Sequence, residues 1–146
     1  MTAVEEIVKE VCDANLADAS LKPVLDAQGN VQTTFCNIAA FKVAVSLGYA
    51  GFTGVNGQPL MADQMAAVCA SRPQEWAPVH LSTAQAAADE AWVLLTHTEV
   101  LHGHVATVYP AASVDNKAGH LWIPCGLCAR SLCGRRVRAR SVNSQV

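Results

Sequence analysis

The chain has 146 residues, 51% of them hydrophobic, and a formal net charge of −2. That length fits one domain able to bury a core without disulfide or metal staples. No run approaches the ~18 unbroken apolar residues of a membrane span, and an acidic body excludes the basic face that nucleic-acid binding needs.

The charge is unevenly spread. Residues 1–124 carry all 12 acids and five of the 10 bases, whereas residues 125–146 carry five arginines and no acid. This divides the chain into a domain, 1–124, and an Arg/Cys-rich tail, 125–146. A short basic tail of this kind reads first as solvated. The acidic N-terminus, Met1-Thr2-Ala3-Val4-Glu5-Glu6, lacks the basic start of a secretory signal. Cytoplasmic synthesis is expected, with any action on a cell wall following release or non-classical export. The cysteines Cys12, Cys36 and Cys69 are widely separated in apolar stretches, which fits a reduced state.

Taken in order, Val4, Ile7, Val8, Val11 and Leu16 predict an amphipathic helix over 3–17. Residues 18–33, with Pro23 and Gln28-Gly29-Asn30, predict a connector with a turn. A second helix is predicted from Cys36 to about Leu47, with Thr34 as its N-cap and Gly48 as its end. Its near-continuous apolar residues imply a central, buried helix. Residues 48–59 are glycine-rich and loop-like; a short helix over 60–70 follows. Pro73 and Pro78 bound a further loop. Ser82-Thr83-Ala84-Gln85 has the form of a capping box opening a helix to about Glu90. Then the period changes: 92–96 and 104–109 are rich in strand formers and predict a hairpin. A third strand is expected near 119–123, ending at Pro124. Helices first and an antiparallel sheet last make an α+β pattern.

Two residues suggest a reaction. Cys36 opens a helix, where the macrodipole and unpaired N–H groups favour a thiolate. The backbone amides of Cys36 and Asn37 could also hold an oxyanion. The bland alternative is a small buried apolar residue, the usual state of a free cysteine. A base must accompany the thiol. His104, on a strand with Gly103 before it and small Ala106 after it, is one candidate; by spacing alone His97, His102 and His120 compete with it.

A longer series carries a resemblance. Thr34-Phe35-Cys36-Asn37 opens an apolar helix, Met61-Ala62-Asp63-Gln64-Met65-Ala66 follows, and Trp76 precedes an Ala-Gln helix. The series continues into Val93-Leu94-Leu95 and His102-Gly103-His104-Val105-Ala106-Thr107-Val108. Over about residues 31–110 it resembles the small cysteine peptidases and amidases related to NlpC and CHAP domains, found in phage lysis proteins and bacterial cell-wall enzymes. The resemblance implies a papain-like fold, no cofactor, and hydrolysis of amide bonds in peptidoglycan peptides. It assigns the nucleophile to Cys36 and the base to His104. It also implies a third polar residue that orients the base, for which His120 and Asn116 are the candidates. The chain departs from the family in having Phe35 where many members have a polar residue before the cysteine.

Other readings compete with this one. One is a catalytically inactive relative that acts as a binding or structural domain. Another rests on His120, Cys125, Cys128 and Cys133, whose spacing could complete a tetrahedral zinc site. A single Cys-x2-Cys is a weak zinc signal. The abrupt change at 125 fits equally a disordered tail or an altered reading frame.

Overall fold

The apolar spacing at the start of the chain forms a helix, α1 (Ala3–Ala17), which buries Val8 against the core. The computed structural model describes residues 3–88, 91–98, 103–110 and 120–124. Asn116 and the tail 125–146, with Cys125, Cys128 and Cys133, lie outside the described residues.

The connector holds more order than a turn. A short 3-10 segment, Ala19–Leu21, is capped by the Asp18 carboxylate, which accepts from the Ser20 amide. A small antiparallel hairpin follows, β1 (Val24–Leu25) and β2 (Val31–Thr33). Asp26 closes it by accepting from the amides of Gln28 and Asn30, both at 2.9 Å. These bonds hold its carboxyl below the usual range.

Helix α2 (Cys36–Ser46) occupies the expected span. Two details differ. Phe35, not Thr34, stands at the N-cap, and no side chain caps the helix. The helix is also buried on one side only: Ala40, Val43 and Ala44 are inside, while Val45 is 58% exposed. Helix α1 and the strand Gly103–Thr107 cover most of the buried side, with the helix Ala62–Ser71 and the 3-10 segment touching it more lightly. Gly48 ends it with φ +75°, a conformation glycine adopts without a side-chain clash.

The glycine-rich segment after α2 is partly a core element. Phe52 is fully buried and packs with Tyr49, Trp76 and Trp92, with ring centroids 5.1–5.9 Å apart for each Phe52 pair. Helix α3 (Ala62–Ser71) follows; the Gln64 side chain accepts from the Met61 amide at its start.

The loop expected between Pro73 and Pro78 contains a strand, β3 (Trp76–Val79). Pro78 is tolerated because β3 is a sheet edge, where a missing N–H costs little. Helix α4 (Leu81–Ala88) begins one residue early, so His80 precedes it and Ser82 lies inside its first turn. The His80 carbonyl accepts from the Thr83 amide and hydroxyl.

The expected hairpin is β4 (Leu94–Thr98) with β5 (Gly103–Thr107), in register from Leu94↔Thr107 to Thr98↔Gly103. Strand β6 (His120–Pro124) inserts between β3 and β4, giving the antiparallel order β3-β6-β4-β5. The chain is therefore an α+β fold. Its larger core joins α1, α2 and α3 to one sheet face through Leu94 and Val105. A smaller core packs the alanines of α4 on Val93 and Leu95. Among the described residues no helix is long and apolar enough to cross a membrane.

Candidate active site

A cleft of about 410 Å³ lies between α1, the mouth of α2 and the edge strand β5. Helix α1 contributes Cys12, Asn15 and Leu16; the connector adds Leu21 and Pro23. Residues Thr34, Phe35, Cys36, Ala39 and Ala40 form the α2 side, and His104 to Thr107 with Tyr109 form the β5 side. Cys36 and His104 thus border one cavity, although 68 residues separate them in the chain.

Cys36 is the first residue of α2. The intrahelical ladder opens with the Ala39 amide donating to the Phe35 carbonyl at 3.1 Å. The amides of Cys36, Asn37 and Ile38 precede that bond and have no intrahelical acceptor. They and the macrodipole face any negative charge that forms at the thiol or on an atom bonded to it. The Thr34 hydroxyl lies 3.8 Å from the Cys36 sulfur, within reach for a weak O–H···S bond. Two side-chain bonds fix this first turn. Asn37 Nδ2 donates to the Leu60 carbonyl at 3.0 Å, and Asn15 Nδ2 donates to the Ala39 carbonyl at 3.1 Å.

His104 is the second residue of β5 and is exposed. Helix α2 packs on β5. Val105 turns into the larger core at 1% exposure, and alternation puts His104 and Ala106 on the opposite sheet face. From this edge strand His104 nevertheless borders the same cleft as Cys36. Among the described residues, Cys36 and His104 are not hydrogen-bonded to each other.

The rival histidines are placed differently. His97 is the cross-strand partner of His104 on β4 and is absent from the cleft lining. His102 lies outside the described residues. His120 is on β6, in register with Thr96, which in turn faces Val105 rather than His104. Strand β4 stands between β6 and β5, so position 120 is two strand spacings, about 10 Å, from the strand of the base. The described backbone does not bring His120 beside His104.

Among the cleft residues that the sequence did not assign to a site are Cys12, Asn15 and Tyr109. Cys12 and Asn15 meet the site because α1 packs across α2, a long-range contact with no local signature, and Tyr109 meets it as the continuation of β5. Burial, then the Asp13 charge, pushes the Cys12 thiol up to about 11. Cys69, in the core, is pushed up to about 12 by burial. The Tyr109 hydroxyl donates to Asp13 Oδ1 at 2.9 Å. The loop 48–59 contributes no lining residue to this cleft.

Among the described residues no group of three or more His, Cys, Asp or Glu could hold a metal ion. No protein-family model, curated protein or solved structure matches this chain.

Proposed function

We propose that the chain is a thiol hydrolase of papain-like type, related to the NlpC and CHAP cysteine peptidases and amidases. The observation that supports this reading best is the shared cleft of Cys36 and His104, with the thiol at the mouth of α2. His104 takes the thiol proton, and Cys36 Sγ attacks the carbonyl carbon of a peptide or amide bond. The amides at Cys36 and Asn37 hold the oxyanion of the tetrahedral intermediate. The C–N bond breaks, His104 returns its proton to the leaving amine, and water then hydrolyses the thioester. Catalytic hydrogen bonds often tighten only once substrate is bound, which accommodates the unbonded pair. The proposed substrate is a stem peptide or cross-bridge of peptidoglycan, reached after release from the cytoplasm.

The test is the release of new amine ends from purified peptidoglycan. Cys36→Ala and His104→Ala each lower the rate by at least about 10²-fold. Full activity in Cys36→Ala ends the proposal. A non-catalytic binding domain is the second reading, favoured by the missing Cys36–His104 hydrogen bond. It predicts wall binding that Cys36→Ala leaves intact and no amine release by the native chain.

A further inference from the structure

The cleft beside Cys36 is lined, among the described residues, by no Asp, Glu, Lys or Arg. This is unusual for the acidic part of the molecule, whose residues 1–124 hold 12 acids. A second cavity, also bordered by α1 and α2, shows the contrast: its lining includes Glu10, Asp18 and Lys42.

The polar atoms of the Cys36 cleft are largely committed to the protein itself. Asn15 Nδ2 donates to the Ala39 carbonyl, and Thr107 Oγ1 accepts from Trp92 Nε1 at 3.0 Å. The Tyr109 hydroxyl donates to Asp13. Burial keeps the Cys12 thiol protonated, hence neutral, at ordinary pH. Besides the α2 amides and the His104 imidazole at the reacting centre, what the cleft offers a ligand is the apolar surface of Leu16, Leu21, Phe35 and Ala39, in the same cavity as Cys36.

Resting on the hydrolase reading above, we infer that the cleft holds the acyl half of the substrate and selects an uncharged, apolar acyl group. Against the apolar walls, away from the α2 amides and His104 that serve the reacting carbonyl, a carboxylate or ammonium carried by the acyl chain would lose water and gain no counter-charge. An aliphatic group would lose only unfavourable contact with water. The leaving amine half lies outside this cleft, so its charge is not restricted by these walls. For a model ester the step balances simply. The Cys36 sulfur bonds to the acyl carbon, the ester C–O bond breaks, and 4-nitrophenolate leaves. Water then releases the carboxylic acid and restores the thiol.

Binding is measured first, in Cys36→Ala protein, so that catalysis is not needed. N-phenyl-1-naphthylamine, a neutral fluorescent probe, is displaced by hexanamide and by succinamate. Hexanamide should displace it at a concentration at least about tenfold lower than succinamate. Leu16 is 74% exposed, so substitution there spares the core. Leu16→Asp should weaken hexanamide, and Leu16→Lys should admit succinamate. Equal displacement by the two amides, or no change in either Leu16 variant, overturns the inference. The native chain is then given 4-nitrophenyl hexanoate and mono-4-nitrophenyl succinate, with the hexanoate expected to react faster by a similar factor. Selective binding without any turnover would sink the hydrolase reading alone and leave the selectivity of the cleft supported.

Discussion

Gly103 lies against the first turn of α3 so closely that a β-carbon on it would stand 2.6 Å from the backbone nitrogen of Asp63. Real β-carbons essentially never approach that near, and the neighbour is main chain, which cannot rotate away. The glycine is therefore needed for space. It sets how tightly β5 docks on α3 and so where His104, the next residue, enters the cleft. Gly103→Ala should cost about 1–3 kcal/mol, the usual range for overpacking. It should also lower any Cys36-dependent rate, because the strand must move outward. Denaturant unfolding of the variant checks the first effect. An unchanged midpoint would show that α3 yields freely at this point.

The thiols should separate by reactivity. Alkylation proceeds through the thiolate. With Cys12 at about 11 and Cys69 at about 12, about one part in 10³ or fewer of either is thiolate near pH 8. Cys36 is half-buried at a helix mouth, with the Thr34 hydroxyl beside its sulfur. Iodoacetamide in limiting amount should label Cys36 well before the other two, as read by peptide mass mapping. Comparable labelling of all three would remove the argument for an activated thiol.

Much of this architecture is legible in the residues, and the exceptions have physical causes. Helices α1 and α2 follow from local period and end where the chain marks an end, at Gly48 in the second case. Strand β3 is hidden because proline usually breaks ladders; only the sheet order, which makes β3 an edge, permits Pro78. Cys36 can be picked out locally because a helix start is a local property. His104 cannot be separated from His97 by local sequence, since both lie in strand-forming runs; pairing and the docking of α2 on β5 distinguish them. The placement of β6 between β3 and β4 is equally non-local, and it distances His120 from β5.

Stability should fall on the alkaline side. The folded Cys69 thiol, at about 12, lies above the unfolded thiol range near ~8.5. Between those values the folded chain holds a proton that the unfolded chain has lost. The contribution of this group is complete below the unfolded pKa and is lost as pH rises through the folded one. Cys12 acts in the same direction over a window ending near 11. Each thiol adds at most ~1.4 kcal/mol of lost stability per pH unit inside its window. Urea unfolding at several pH values between neutrality and about 10.5 should show this decline. In Cys69→Ala the decline should be shallower, even though the smaller side chain lowers stability at neutral pH. An identical slope in that variant would mean the buried thiol is not titrating as described.

The junction of β4 and β6 gives a prediction about the fold alone. Thr96 is 2% exposed, and its Oγ1 accepts from Trp122 Nε1 at 2.9 Å. Register places Leu94, not Thr96, opposite Trp122, so the bond is a diagonal tie across the two strands. Thr96→Val keeps the shape and the β-branching but removes the acceptor. The indole N–H loses this partner in a part-buried setting, at a cost of about 1–3 kcal/mol. Trp122→Phe removes the donor as well. The double variant should therefore be less destabilised than the sum of the two single ones, by about the coupling energy expected of residues in direct contact, 0.5–3 kcal/mol. Additive effects would show that the two side chains contribute independently. The aromatic packing of Trp122 would then be what holds β6 to β4.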